Sequence, residues 1–354
     1  MKTNSPVTFR AGAWGALFIR YAALLQLFLL FPQFTSVRAE EPVEAAAPVT
    51  TVAATACDEP CVTARVSLPR PQDEVWLIRS PLVCCCEPPL ESVDGLKFWR
   101  LAGCHQWRPA DLAGLLATDN PRVPTIVVIH GNRTDMAEAI CMTWDVYHHA
   151  ASSAGDDRPL RIIAWSWPAE KIRGRMKEDF RVKAERSDLV GFHVAWLLRR
   201  INADVPVSLV GYSYGARVIS AAMHLAGGGE VAGYALGGEH PPRRGPVRAV
   251  LVAAAMDNHW LLPEGCHGLA VGQVDRLTLT VNCADRVLKR YHRLYGRGGP
   301  DALGYTGAVG LGDLGPAAGR VEQIDVSGYV GKAHRWSVYI QSPGVTAALQ
   351  WDPK

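Results

Sequence analysis

The stretch Val207-Ser208-Leu209-Val210-Gly211-Tyr212-Ser213-Tyr214-Gly215-Ala216-Arg217-Val218 decides how this chain folds. It opens on a short run of branched apolar residues and reaches Gly-x-Ser-x-Gly. Apolar residues then recur at helical spacing, at Val218, Ile219, Ala222, Met223 and Leu225. The pattern predicts a strand, a sharp turn and a helix. At such a turn the serine sits in a strained conformation that lifts Oγ clear of the backbone. Gly211 and Gly215 lack Cβ, so strand and helix can pass close to each other. The helix N-terminus aims N–H groups at the place where an oxyanion would form. Ser213 therefore reads as a catalytic nucleophile. The competing reading is a tight strand–helix turn without chemistry.

Outward from this unit the chain alternates strands and helices. Pro124–Asn132 is a continuous apolar run that ends in His130-Gly131. Leu160–Pro168 is a second run, stopped by its proline. Val247–Asp257 and Leu277–Asn282 are two more, and Val321–Val326 closes the set. Helical spacing covers residues 136–151 and 189–201, and a last helix is expected from His334 to a stop near Pro343. Glu74–Ile78 and Leu96–Leu101 read as opening strands. Uninterrupted apolar strands between helices predict a mainly parallel open sheet with helices on both faces, an α/β class. Two Gly- and Pro-rich excursions, 227–246 and 296–319, are long for loops. The second lies between Asp285 and His334, so it is expected to border the active site.

From about Glu74 to Gln350 the chain resembles the α/β-hydrolase superfamily. The His130-Gly131 strand end, the Gly211-Tyr212-Ser213-Tyr214-Gly215 turn, an acid after a late strand and a histidine near the C-terminus carry that resemblance. Trp165-Ser166-Trp167-Pro168 before a charged stretch looks like a poorly characterised, exported bacterial branch of it. The tyrosines on both sides of Ser213 depart from the commoner forms of the turn.

The resemblance implies the chain order Ser, acid, His. A serine hydroxyl needs a base within reach and an acid behind that base. Asp285 follows the strand 277–282, and His334 precedes the final helix. Both fall at strand C-terminal ends, where an open α/β sheet places its ligands. Asp285 is assigned as acid and His334 as base. Asp257, at the end of the preceding strand, is the competing acid. Oxyanion donors are expected from the backbone of Tyr214 and Asn132. Tyr212, Trp165 and Trp167, with Trp260 as a further candidate, are candidates to hold an apolar acyl or aryl group. For the two tryptophans at 165 and 167, packing between sheet and helix is an equal alternative. Lys171–Arg186 mixes both charge signs and reads as a solvated helix or lid edge.

The N-terminus reads differently. Lys2, Arg10 and Arg20 precede an apolar core, Tyr21–Phe31, and Val37-Arg38-Ala39 resembles a cleavage site. Residues 1–39 are expected to be a signal peptide, 40–72 a linker carrying Cys57 and Cys61, and 73–354 the catalytic domain. An uncleaved 21–31 segment, holding the protein at a membrane, is the alternative. All nine cysteines follow the signal, so in an exported protein several should form disulfides. Lys and Arg total 37 against 34 Asp and Glu, a net +3 that argues against nucleic acid as a partner. The expected protein is an exported serine hydrolase acting on a small-molecule or lipid ester, with no metal and no cofactor. A serine peptidase or amidase would use the same residues. A non-catalytic exported binding protein on this fold is the remaining alternative.

Overall fold

The computed structural model describes residues 68–82, 91–103, 106–172, 174, 176–239, 241–296 and 298–350. The expected signal segment, most of the linker, and Cys57, Cys61, Cys84, Cys85, Cys86 and Cys104 lie outside these. The strands are β1 (Glu74–Arg79), β2 (Lys97–Leu101), β3 (Trp107–Ala110), β4 (Thr125–Ile129), β5 (Arg161–Ser166), β6 (Val207–Tyr212), β7 (Glu230–Val231), β8 (Tyr234–Ala235), β9 (Val247–Val252), β10 (Arg276–Val281) and β11 (Val321–Asp325). The helices are α1 (Leu112–Leu116), α2 (Met136–Ala154), α3 (Met176–Leu198), α4 (Tyr214–Ala226), α5 (Leu303–Thr306), α6 (Ser327–Val330), α7 (Trp336–Tyr339) and α8 (Pro343–Leu349).

Nine strands form one sheet in the order β11-β10-β9-β6-β4-β5-β1-β2-β3. From β11 to β1 every neighbouring pair is parallel, and β2 and β3 close one edge antiparallel. Every residue of β4 and β5 is buried, as expected of strands covered on both faces. Each such aliphatic side chain contributes about 1.5–3 kcal/mol by leaving water. The fold is therefore α/β with a mainly parallel open sheet flanked by helices, an arrangement consistent with the α/β-hydrolase fold. The described residues all belong to one compact unit, Val52–Lys354.

The topology also says where a ligand should lie. The chain leaves β4, moves outward to β5, then returns to place β6 on the other side of β4. At such a switch the connections depart in opposite directions and leave a crevice beyond the strand C-termini. The loop after β4 and the turn after β6 both open into it.

Some elements differ from the sequence expectation. β3 was not expected, because it is four residues long and contains Pro109. Its edge position tolerates the missing donor. α3 starts at Met176 rather than at residue 189, so the charge-dense stretch is its first half. Its buried Asp179 and Lys183 pair with each other at 2.7 Å. The excursion 227–246 contains the small β7–β8 hairpin. Pro343 does not stop a helix that begins at His334. It opens α8 at the first helical position, where a missing N–H costs nothing.

Candidate active site

Ser213 links β6 to α4 with φ 55° and ψ −113°, a left-handed backbone that a residue with Cβ rarely adopts. What enforces it is the close approach of the elements around the turn. A Cβ on Gly215 would collide with the Ile129 carbonyl, so only glycine lets α4 start this near to β4. The Ser213 N–H donates to the Val252 carbonyl at 2.9 Å, and its own carbonyl accepts from Ala255 at 3.2 Å. Further along α4, Arg217 makes a two-bond fork to Asp188 of α3, at 2.7 Å each, and lies over the Trp260 ring. This pair anchors the helix that carries the turn, and Trp260, which packs against it, does not line the cavity described below.

The structure brings Ser213, His334 and Asp285 together. Ser213 Oγ lies 3.2 Å from His334 Nε2, and His334 Nδ1 lies 2.7 Å from Asp285 Oδ2. Asp285 is fully buried. Its Oδ1 accepts from the Val287 and Leu288 N–H groups at 2.8 and 3.0 Å. Its Oδ2 also accepts from the Tyr339 hydroxyl at 2.8 Å. Burial works to raise the Asp285 carboxyl, but His334, the Leu288 N–H and Tyr339 outweigh it and hold its pKa below the ordinary carboxylate value. An anionic carboxylate at this place fixes the imidazole so that Nδ1 carries the proton and Nε2 faces the serine.

Asp257 lies elsewhere. Its carboxylate accepts from the Tyr291 hydroxyl at 2.7 Å, and none of its hydrogen bonds reaches His334. Of the two competing acids, the structure places only Asp285 behind the imidazole.

The loop that carries His334 is held at both ends of a short arc. The Tyr212 hydroxyl donates to the His334 carbonyl at 2.8 Å, and Trp336 Nε1 donates to Asp145 of α2 at 2.9 Å. The Tyr212 ring lies 5.5 Å from the His334 ring and also borders the cavity. Its hydroxyl is thus engaged in positioning the base, while the ring stays open to a substrate.

Asn132 follows the β4 exit. A Cβ on Gly131 would sit 2.9 Å from Ser213 Cβ, so this loop runs directly beside the serine. Neither its N–H nor its side-chain amide has a hydrogen-bond partner among the described residues. The Tyr214 N–H belongs to the first turn of α4, where no carbonyl lies one turn back. These are the two donors expected of an oxyanion site.

Trp165 and Trp167 are corrections. Trp165 is fully buried, and its Nε1 donates to Ser80 Oγ at 3.0 Å. Trp167 is 1% exposed and stacks on His130, and its Nε1 donates to the His130 carbonyl at 2.9 Å. Neither borders the cavity. Both faces of this sheet are covered, so aromatic residues at the end of β5 go into packing rather than into the cavity.

His130 is locked as well. Its Nε2 accepts from the Trp167 N–H at 3.1 Å, which leaves Nδ1 to donate to the Gly131 carbonyl at 2.9 Å. Complete burial pushes its pKa down to about 4, so it is neutral at physiological pH.

A cavity of about 670 Å³ opens onto Ser213 and His334, within the usual range for a ligand site. Phe180 and Met176 of α3, with Leu288 and Leu294, supply much of its apolar wall. No described residue of the excursion 296–319 borders it, contrary to expectation. That segment packs its Leu303–Gly304 backbone on Met256 and Ala254 instead. Beyond the residues around Ser213 and His334, most of the lining comes from the 3-10 helix Leu288–Leu294 and the start of α3. The apolar repeat at 288, 291 and 294 was the available signal for the first of these. For Tyr339 there was none, because its value lies in a contact 54 positions away in sequence.

No family model matches the chain, and no curated protein matches it. Among solved structures it is similar to a cutinase-like protein from Cryptococcus sp., with 12% identity, 64% of this chain and 91% of that one covered, and a TM-score of 0.30. It is also similar to acyl-protein thioesterase 2 of Zea mays, with 16% identity, 64% and 94% covered, and a TM-score of 0.33. At these values neither likeness carries a residue role or a substrate to this chain.

Proposed function

We propose that this chain is a serine hydrolase that cleaves a carboxylic ester through an acyl-enzyme. The observation that carries the reading is the unbroken line Ser213 Oγ, His334 Nε2, His334 Nδ1, Asp285 Oδ2 at the mouth of an apolar cavity. His334 Nε2 takes the hydroxyl proton as Ser213 Oγ attacks the ester carbonyl. The negative charge on the carbonyl oxygen is met by the N–H groups of Tyr214 and Asn132. The tetrahedral intermediate collapses, the C–O bond to the alcohol breaks, and the alcohol leaves with the proton from His334. Water then repeats the sequence on the acyl-serine and releases the carboxylate. The apolar wall favours an acyl chain on the substrate. Ser213→Ala is expected to lower turnover of a p-nitrophenyl ester by several orders of magnitude while circular dichroism stays unchanged. Wild-type turnover in the folded variant would remove the mechanism.

We also propose that the protein is exported, with a catalytic domain beginning near residue 73. The apolar core Tyr21–Phe31 and the Ala39 site support it. Mass spectrometry of native material is expected to find an N-terminus near Glu40 and at least one disulfide. Retained Met1 with every thiol reduced would refute export.

A further inference from the structure

The wall of the cavity beyond Ser213 is apolar, but its edge is cationic. The 3-10 helix Leu288–Leu294 repeats every three residues, so 288, 291 and 294 share one line along it and 290 and 293 continue the line begun by 287. Both lines face the cavity. Val287, Leu288, Arg290, Tyr291, Arg293 and Leu294 border it, whereas Lys289 and His292 do not. Lys177, at the start of α3, adds a third exposed cation and Arg133 a fourth.

Among the described residues, no Asp or Glu borders this cavity. Arg133 is already engaged, with its Nε 3.0 Å from Asp179. Lys177, Arg290 and Arg293 make no ion pair among the described residues. The excess is local, because the whole chain carries only +3 over 354 residues. An ordinary solvated helix scatters its charges around its circumference. Here the period of the helix sends two of its arginines to one opening.

Resting on the hydrolase reading of Ser213, we infer that the substrate is an amphiphilic ester whose alcohol portion carries a phosphate, held at the cavity edge by Lys177, Arg290 and Arg293. Three uncompensated cations suit a phosphate better than a single carboxylate, and the guanidinium fork matches its oxygens. The acyl chain lies against Phe180, Leu288 and Leu294. Only the carboxylic C–O bond breaks: the acyl group passes to Ser213, the phosphorylated alcohol leaves with the proton from His334, and the P–O bonds stay intact. Such a phosphate could belong to a soluble metabolite or to a lipid headgroup, and the chemistry at the edge is the same.

The test compares kcat/KM for two water-soluble monomers, the 1-butyryl ester of glycerol 3-phosphate and 1-butyrylglycerol. Exposed charge pairs are individually weak, so three together are expected to give about a tenfold preference for the phosphorylated ester at low salt. Raising the ionic strength is expected to erode that preference in the wild-type protein. R290Q/R293Q is expected to bring the ratio near unity. R286Q/K289Q removes the same charge from residues off the cavity and is expected to keep it. A second arm compares phosphatidic acid with diacylglycerol, each carried at the same density in vesicles of a non-hydrolysable ether-linked phosphatidylcholine. A preference in the soluble pair identifies free phosphate as sufficient, and a preference in vesicles alone identifies the lipid headgroup. No preference in either arm, including no turnover in either, overturns the inference. So does a preference that survives R290Q/R293Q or is lost equally in R286Q/K289Q. If instead Ser213→Ala hydrolyses p-nitrophenyl butyrate like the wild type, it is the underlying hydrolase reading that fails.

Discussion

The two sides of the sheet's C-terminal edge carry similar residues and use them differently. On one side, at the ends of β4 and β5, lie His130, Trp165 and Trp167. On the other, after β9 and β10, lie Asp257 and Asp285, with His334 beyond β11. On the first side every polar atom of the imidazole is committed to backbone, and both indoles are buried with their N–H groups bonded. On the second side one imidazole keeps Nε2 for a serine hydroxyl. A residue at a strand end is therefore not functional by position. What separates His334 from His130, and Asp285 from Asp257, is whether the partner is a reacting group or a fixed piece of the scaffold.

The sharpest way to break that contrast is to neutralise each carboxylate in turn. Asp285→Asn removes the charge that holds the His334 tautomer and stabilises its imidazolium, and a loss of roughly four orders of magnitude in kcat is expected. Asp257→Asn is expected to lose less than about tenfold, since its carboxylate only accepts from Tyr291. Both are read as kcat/KM on one activated ester, with circular dichroism as the control for folding. An inactive Asp257 variant beside an active Asp285 variant would reverse the assignment.

A smaller effect tests the other side. His130 has its pKa lowered to about 4 in the folded protein by burial, against about 6.5 for the unfolded chain. Below about 6.5 the unfolded state takes up a proton that the folded state refuses. Stability from His130 is thus complete above that pH and is lost as pH falls, levelling off near 4. The shift corresponds to roughly 3 kcal/mol. Urea denaturation at pH 7, 5.5 and 4 is expected to show a steeper decline in the wild type than in His130→Gln. His267 is also held neutral by burial and acts in the same direction in both proteins, so the difference between them isolates His130. Parallel declines would mean that His130 is not the buried neutral brace described here.

The same contrast explains what could be read in the chain itself. β4, β5, β6, β9 and β10 were legible because strands covered on both faces are mostly apolar. The turn at Ser213 was legible because its glycines are forced by contact, and the order Ser213, Asp285, His334 follows the chain. Trp165 and Trp167 were ambiguous because an aromatic residue near a strand end has the same signature in a core as in a pocket. β3 was hidden by its length and by Pro109. The start of α3 was hidden because its buried Asp179 and Lys183 look solvated until they are seen to pair. The cavity wall at Leu288–Leu294 repeats every three residues, a period that marks its apolar line at 288, 291 and 294 but matches neither an α-helix nor a strand, so its element type was hidden.

The central claim is that Ser213 forms the acyl-enzyme, and a covalent probe tests it most directly. The intact protein, treated with a fluorophosphonate and digested, is expected to carry the adduct on the peptide containing Ser213. Asp285→Asn is expected to label much more slowly, and Ser213→Ala not at all. An adduct on another serine, or a Ser213→Ala protein that labels like the wild type, would contradict the account.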